Sequence, residues 1–191
     1  MPRTSGVIFI LIFLSLMQTQ NNSQYTQRVF DASFSQRGLN EIGFFHISLA
    51  YLSDVRQALM RAFRVLKPGG LLVLREPDRD GDLFFPDSET RKFVWGILNR
   101  LHPGDPFLGK KLKAAVVRAG FNLLHLTGSY DFINPDRFNS RMKALPEEVE
   151  EAERSTCREA VALLEKESTE PGWIYGQSRV EIVAERPHDQ A

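Results

Sequence analysis

The sequence predicts an α/β fold, a sheet with helices packed on both faces. Three observations predict it. Val55, Ala58, Leu59, Ala62, Phe63 and Leu66 recur at three- and four-residue steps, the mark of an amphipathic helix. Leu71-Leu72-Val73-Leu74 is wholly apolar, as a central parallel strand covered on both faces should be. Helical and strand patterns then keep alternating to the end of the chain, which argues for an α/β sheet.

The first strand of this pattern is Ile42-Gly43-Phe44-Phe45-His46-Ile47. Ser53 or Asp54 can cap the helix that follows, by accepting a hydrogen bond from its free N–H groups. Lys67-Pro68-Gly69-Gly70 stops that helix: the cation suits its negative end, Pro68 cannot continue it, and the glycines permit a reversal. Strand, helix and strand make a βαβ unit, whose crossover should be right-handed. Residues 86–101 read as a second helix, with Phe93, Val94, Ile97, Leu98 and Leu101 on one side. After the turn at Pro103-Gly104-Asp105-Pro106, residues 108–119 read as a helix closed by Gly120. Residues 121–130 read as a strand, 146–166 as a charged helix and 179–184 as a last strand. Phe30 to Ser35 alternates as a strand could.

The N-terminus stands apart. Arg3 precedes an apolar run over residues 7–17, followed by a polar linker over 18–40. Three readings stay open: an export signal without an A-x-A-like cleavage site, an anchor too short to span a bilayer comfortably, or a buried strand. The organisation expected is thus an atypical segment at 1–40, a domain at 41–187 and a tail at 188–191. The location expected is cytoplasmic, with export or membrane association through residues 7–17 as the alternative.

The chain has 191 residues, with 24 Lys+Arg against 24 Asp+Glu, so its formal net charge is zero. That balance gives no footing for nucleic acid or an anionic membrane surface. Cys157 is the one cysteine, and no Cys/His spacing suits a metal.

At Leu52-Ser53-Asp54 and Arg64-Val65-Leu66-Lys67-Pro68-Gly69-Gly70 the sequence resembles the class I S-adenosylmethionine-dependent methyltransferases, in the type 11 group near the ubiquinone/menaquinone-biosynthesis enzymes. Glu41 to Gly70 resembles that family's fourth strand, fourth helix and approach to the fifth strand. Leu72 to Asp78 resembles the fifth strand and its exit. Gly104 to Gly109, Ala119 to Phe121, Tyr130 and the closing VEIVAERP resemble later elements. The resemblance implies a Rossmann-like methyltransferase sheet holding strands four to seven, the last antiparallel, with flanking helices. It implies S-adenosylmethionine as cofactor, across the carboxyl ends of the strands, and a small-molecule or lipid-like acceptor. The cofactor residues it implies are Phe45, His46 and Ile47, at the fourth strand's exit. Glu76 and Asp78, after the fifth strand, are the implied acceptor-binding residues, and one of them could serve as a base. Turn chemistry alone also accounts for Glu76-Pro77-Asp78. Trp95, Tyr130 and Trp173 could line an apolar acceptor cleft or lie in the core.

The family's glycine-rich loop after its first strand has no counterpart here, for no G-x-G-x-G precedes residue 41. The fourth strand would then be an exposed edge open to a partner or to self-association, unless residues 7–16 take the missing place. Two other classes therefore stand beside the enzyme: a non-catalytic methyltransferase-like binding module, and an exported or anchored small protein. This chain alone is expected to bind S-adenosylmethionine weakly or not at all in calorimetry, and micromolar binding would overturn that expectation.

Overall fold

The computed structural model describes residues 12–13, 40–102 and 104–188. These residues fall into two compact units, one drawn from residues 12–13, 40–78, 104–129 and 179–188, the other from 79–102 and 130–178. The strand candidate at Phe30 to Ser35 and most of the apolar run at 7–17 lie outside the described residues.

In the first unit, strand β2 (Asn40–His46) leads through a short 3-10 turn to helix α1 (Val55–Val65). The Asp54 side chain accepts the Gln57 N–H at 2.8 Å and caps the helix. Ala58, Leu59, Ala62 and Val65 form its buried stripe. Strand β3 (Leu66–Pro77) begins directly at the helix end, not at Leu71. Lys67 to Gly70 are therefore strand residues, but irregular ones. Asn40 faces Leu66 and Ile42 faces Leu71, so β3 carries extra residues there. Gly69, at φ 77°, absorbs the bulge.

β2 and β3 run parallel, with Phe45 opposite Leu74. Along β3, Leu72, Leu74 and Glu76 are buried while Leu71, Val73 and Arg75 are half-buried, the period of two that a strand imposes. On the far side of β3 lies β6 (Ile174–Glu185), antiparallel, with Leu71 opposite Glu185 and Pro77 opposite Arg179. β5 (Asn122–Phe132) pairs with β6. Ile12 and Phe13 form a two-residue strand, β1, that pairs parallel with β2 at Phe45 and His46. These two residues of the N-terminal run thus cover part of the edge that the sequence left open.

Helix α3 (Gly109–Arg118) contributes Leu112 and Val116 to the same core, with Phe45, Leu49, Leu59, Leu66, Leu72, Leu74 and Ile182. The carbonyls at the end of α1 have no partner inside the helix. Arg186 supplies one: its Nη1 donates to Phe63 O at 3.1 Å and Leu66 O at 2.7 Å, and its guanidinium lies over the Phe63 ring.

The second unit holds β4 (Leu83–Phe85), α2 (Glu89–Leu101), α4 (Pro135–Ala144) and α5 (Glu151–Glu167). β4 pairs antiparallel with Ile174–Gly176 of β6. The core comprises Val94, Ile97, Met142, Leu145, Cys157 and Leu164 around a cluster of rings: Phe84, Trp95, Phe138, Trp173 and Tyr175. Two differences from the sequence expectation have local causes. The charged helix starts at Glu151 because Leu145–Glu147 forms a separate 3-10 turn and Glu150 is extended. α4 was not anticipated, although Asn134 caps it through the Arg137 N–H at 2.8 Å and Pro135 opens it. Among the described residues no helix is long and apolar enough to cross a membrane.

Replacing Arg186 with Ala should lower the unfolding free energy by about 1.5–3 kcal/mol, the usual worth of hydrogen bonds from a charged donor. Urea midpoints measure this, and an unchanged midpoint would show that the α1 carbonyls find other partners.

Candidate functional site

The carboxyl ends of β2 and β3 meet a third segment in the first unit, residues 104–109. β2 ends at His46, and Ile47 then turns the chain at φ 50°. For a β-branched residue that left-handed conformation is strained, at about 1–3 kcal/mol. Its own N–H still donates to Arg75 O at 2.8 Å, so the strain is not relieved by letting go of β3.

The next three N–H groups converge on one side chain. Ser48 and Leu49 donate to Glu76 Oε1 at 3.0 and 2.9 Å, and Ala50 donates to Oε2 at 3.3 Å. These groups open the 3-10 turn Leu49–Tyr51, where backbone N–H groups lack partners of their own. Glu76 is 0% exposed. Burial pushes its carboxyl up to about 7, against the opposing pull of the three N–H groups and of the Arg179 guanidinium.

The loop is held from its other side as well. Ala50 O accepts the Asp105 N–H at 2.7 Å. A Cβ on Gly104 would lie 1.9 Å from Ala50 O, so only glycine permits this approach. Asp105 Oδ1 accepts the Phe107 N–H at 3.0 Å, and Lys111 Nζ donates to its Oδ2 at 2.7 Å. At the start of α3, a Cβ on Gly109 would come within 2.6 Å of Asp78 Cβ and 3.1 Å of Pro77 O. The two glycines thus let residues 104–109 sit directly on the exits of β2 and β3.

No family model matches the chain. A stretch of 75 residues is 36% identical to an uncharacterized 37.1 kDa protein in transposon TN4556 of Streptomyces fradiae, covering 38% of this chain and 21% of that protein. Among solved structures, a candidate methyltransferase from Bacillus halodurans C-125 superposes with a TM-score of 0.50 at 18% identity, over 80% of this chain and 72% of the other. The YcgJ protein of Bacillus subtilis is a looser likeness, at TM-score 0.46 and 14% identity, over 81% of this chain and 66% of the other. The fold is that of a class I methyltransferase. The α/β sheet with its antiparallel strand and flanking helices is the architecture the sequence predicted.

Within this methyltransferase fold the sequence-chosen residues separate. Phe45 points its ring into the core and is 1% exposed, so only its main chain reaches the strand exit. His46 lies on the opposite face, stacked on Phe44 with centroids 6.2 Å apart. Ile47 forms the kink itself. Glu76 faces inward, beneath the loop. Asp78 is half-buried beside Gly109. Trp95 and Trp173 belong to the ring cluster of the second unit, and Tyr130 is 48% exposed. Sequence reasoning missed the N–H groups of Ser48 to Ala50, Gly104 and Arg179. One signal was available: Leu72, Leu74 and Glu76 alternate along one strand, which places Glu76 on the same buried face as the leucines.

A carboxyl whose value is 4.5 unfolded and about 7 folded binds more protons in the native state between those limits. Stability is therefore fully present below pH 4.5 and falls as pH rises towards 7, by about 3 kcal/mol in total. Urea unfolding across that range should show the slope in the native chain and lose this component in Glu76→Gln. Equal slopes in the two proteins would refute the assignment.

Proposed function

We propose that this chain is a methyltransferase-type module that takes S-adenosylmethionine at the exit of β2, weakly because the glycine-rich loop is missing, and a small or lipid-like acceptor beside the exit of β3. The observation that carries this reading is the placement of the two parallel strand ends, with residues 104–109 fixed against both by close glycine contacts. In open α/β sheets, ligands bind at the carboxyl ends of parallel strands.

His46 and Ile47 are half-buried, and no charged residue occurs between Ile47 and Leu52. An uncharged strand exit of this kind suits a flat heteroaromatic group like adenine. Glu76 is turned away under the loop, so it does not fit as a ribose ligand or as a base. Asp78 is the acidic side chain left for the acceptor side. When bound, the cofactor supplies the sulfonium methyl, and transfer is a direct displacement that depends on alignment and exclusion of water. In this reading the main chain of Phe45 with His46 and Ile47 orients the cofactor, and Asp78 orients the acceptor. A cytoplasmic location agrees with such a cofactor.

A non-catalytic module is the second reading. Burial of Glu76 under backbone donors favours it, since that removes one of the two acidic groups at the β3 exit from any proton transfer.

Titrating ¹⁵N-labelled chain with S-adenosylhomocysteine tests the site directly. Amide shifts should change at His46, Ile47 and Ser48 and weaken in His46→Ala. Shifts confined to other residues, or none at millimolar ligand, would count against the cofactor reading.

A further inference from the structure

We propose that Glu76 is a positioning residue whose ionised carboxylate keeps Ile47 in its left-handed turn, so that the shape of the β2 exit follows the protonation of a group buried beneath the loop. The inference rests on reading the β2 exit as the cofactor end, but its test does not.

The geometry makes the dependence specific. Three N–H donors face one carboxylate, two on Oε1 and one on Oε2. An ionised carboxylate only accepts, so it satisfies all three. A neutral acid keeps one carbonyl oxygen and gains an O–H donor. Oε1 holds the two shorter bonds, so the proton goes to Oε2, which has the single 3.3 Å contact from Ala50. The Ala50 N–H then faces a hydroxyl oxygen, a weaker acceptor than a carboxylate oxygen. The turn that follows Ile47 is loosened from its far end, and a strained β-branched residue loses what offsets its strain.

The charged surroundings are few. Arg179, on β6, favours the ionised form. Arg75 is the neighbour on β3, but its Nε donates to Glu181, to which Ser129 Oγ also donates. Asp105 and Lys111, next to Ala50, are paired with each other. Asp78 is two residues on and half-buried. His46 precedes the kink, with its ring stacked on Phe44. Burial opposes the charge on Glu76 strongly enough that its carboxyl titrates near neutrality.

The experiment follows ¹⁵N amide shifts of Ser48, Leu49 and Ala50, with the ¹³C shift of the Glu76 carboxyl, in the full chain from about pH 5.5 to about pH 8.5. The three amides and the carboxyl should titrate with one midpoint. Protection of the Ala50 amide against exchange should fall about tenfold on the acid side. The amide titration should survive in His46→Phe and vanish in Glu76→Gln. Flat amides in the native chain would overturn the proposal, as would an amide midpoint that differs from that of the carboxyl or one that disappears with His46. Should Glu76→Gln fail to fold, the native chain and His46→Phe decide between these outcomes. No cofactor is added, so failure here leaves the cofactor reading standing, and silence towards S-adenosylhomocysteine leaves this inference standing.

Discussion

The exits of β2 and β3 depend on one buried carboxylate. Glu76 gathers the N–H groups of Ser48, Leu49 and Ala50 and is itself shut off from water. Remove that acceptor, and three donors are left buried without a partner, each a penalty of about 1–3 kcal/mol. The Asp105 contact to Ala50 and the close approach of Gly104 are both built on the loop in this conformation. The kink at Ile47 belongs to the same construction. Its strain is tolerable because Arg75 O holds it on one side and the Glu76 cluster on the other.

A buried charge of this kind is a poor way to stabilise a fold. Desolvation outweighs the donors and Arg179, which is why the carboxyl is pushed upward and not down. An apolar residue at position 76 would continue the stripe begun by Leu72 and Leu74. What it could not do is orient three backbone dipoles. The residue therefore sits on the side of geometry against stability, a balance met more often at sites than in plain cores.

Much of the fold was legible in the sequence, for reasons that can be traced to single residues. The three- and four-residue spacing from Val55 placed α1 almost to its ends, and of the two candidate caps, Ser53 and Asp54, the structure uses Asp54. The run from Leu71 placed the middle of β3. In its first residues Pro68, Gly69 and Gly70 spell a turn, whereas pairing with β2 stretches them into a bulged strand. β4 was too short to show a period, and α4 was too polar to show a stripe, with only Phe138 and Met142 buried. The site was legible only in part. The sequence pointed to the ends of β2 and β3, because apolar runs stop there. It could not tell that Phe45 turns inward while its neighbours do not, nor that Glu76 serves the backbone, since those facts depend on which face of the sheet is covered.

The grip of Arg186 on the end of α1 bears on the order in which this chain can be completed. Arg186 lies 123 residues after Phe63 and 120 after Leu66, whose carbonyls it holds. A polypeptide is made from its N-terminus, so α1 leaves the ribosome with its last turn exposed to water. It stays that way until Arg186 has been synthesised and β6 has aligned against β3. Contacts of such long sequence separation are slow to close. A nascent chain that stalls before Arg186 would therefore carry an early helix that is still unfinished, and such a stalled chain would be a favoured substrate for chaperones and proteases.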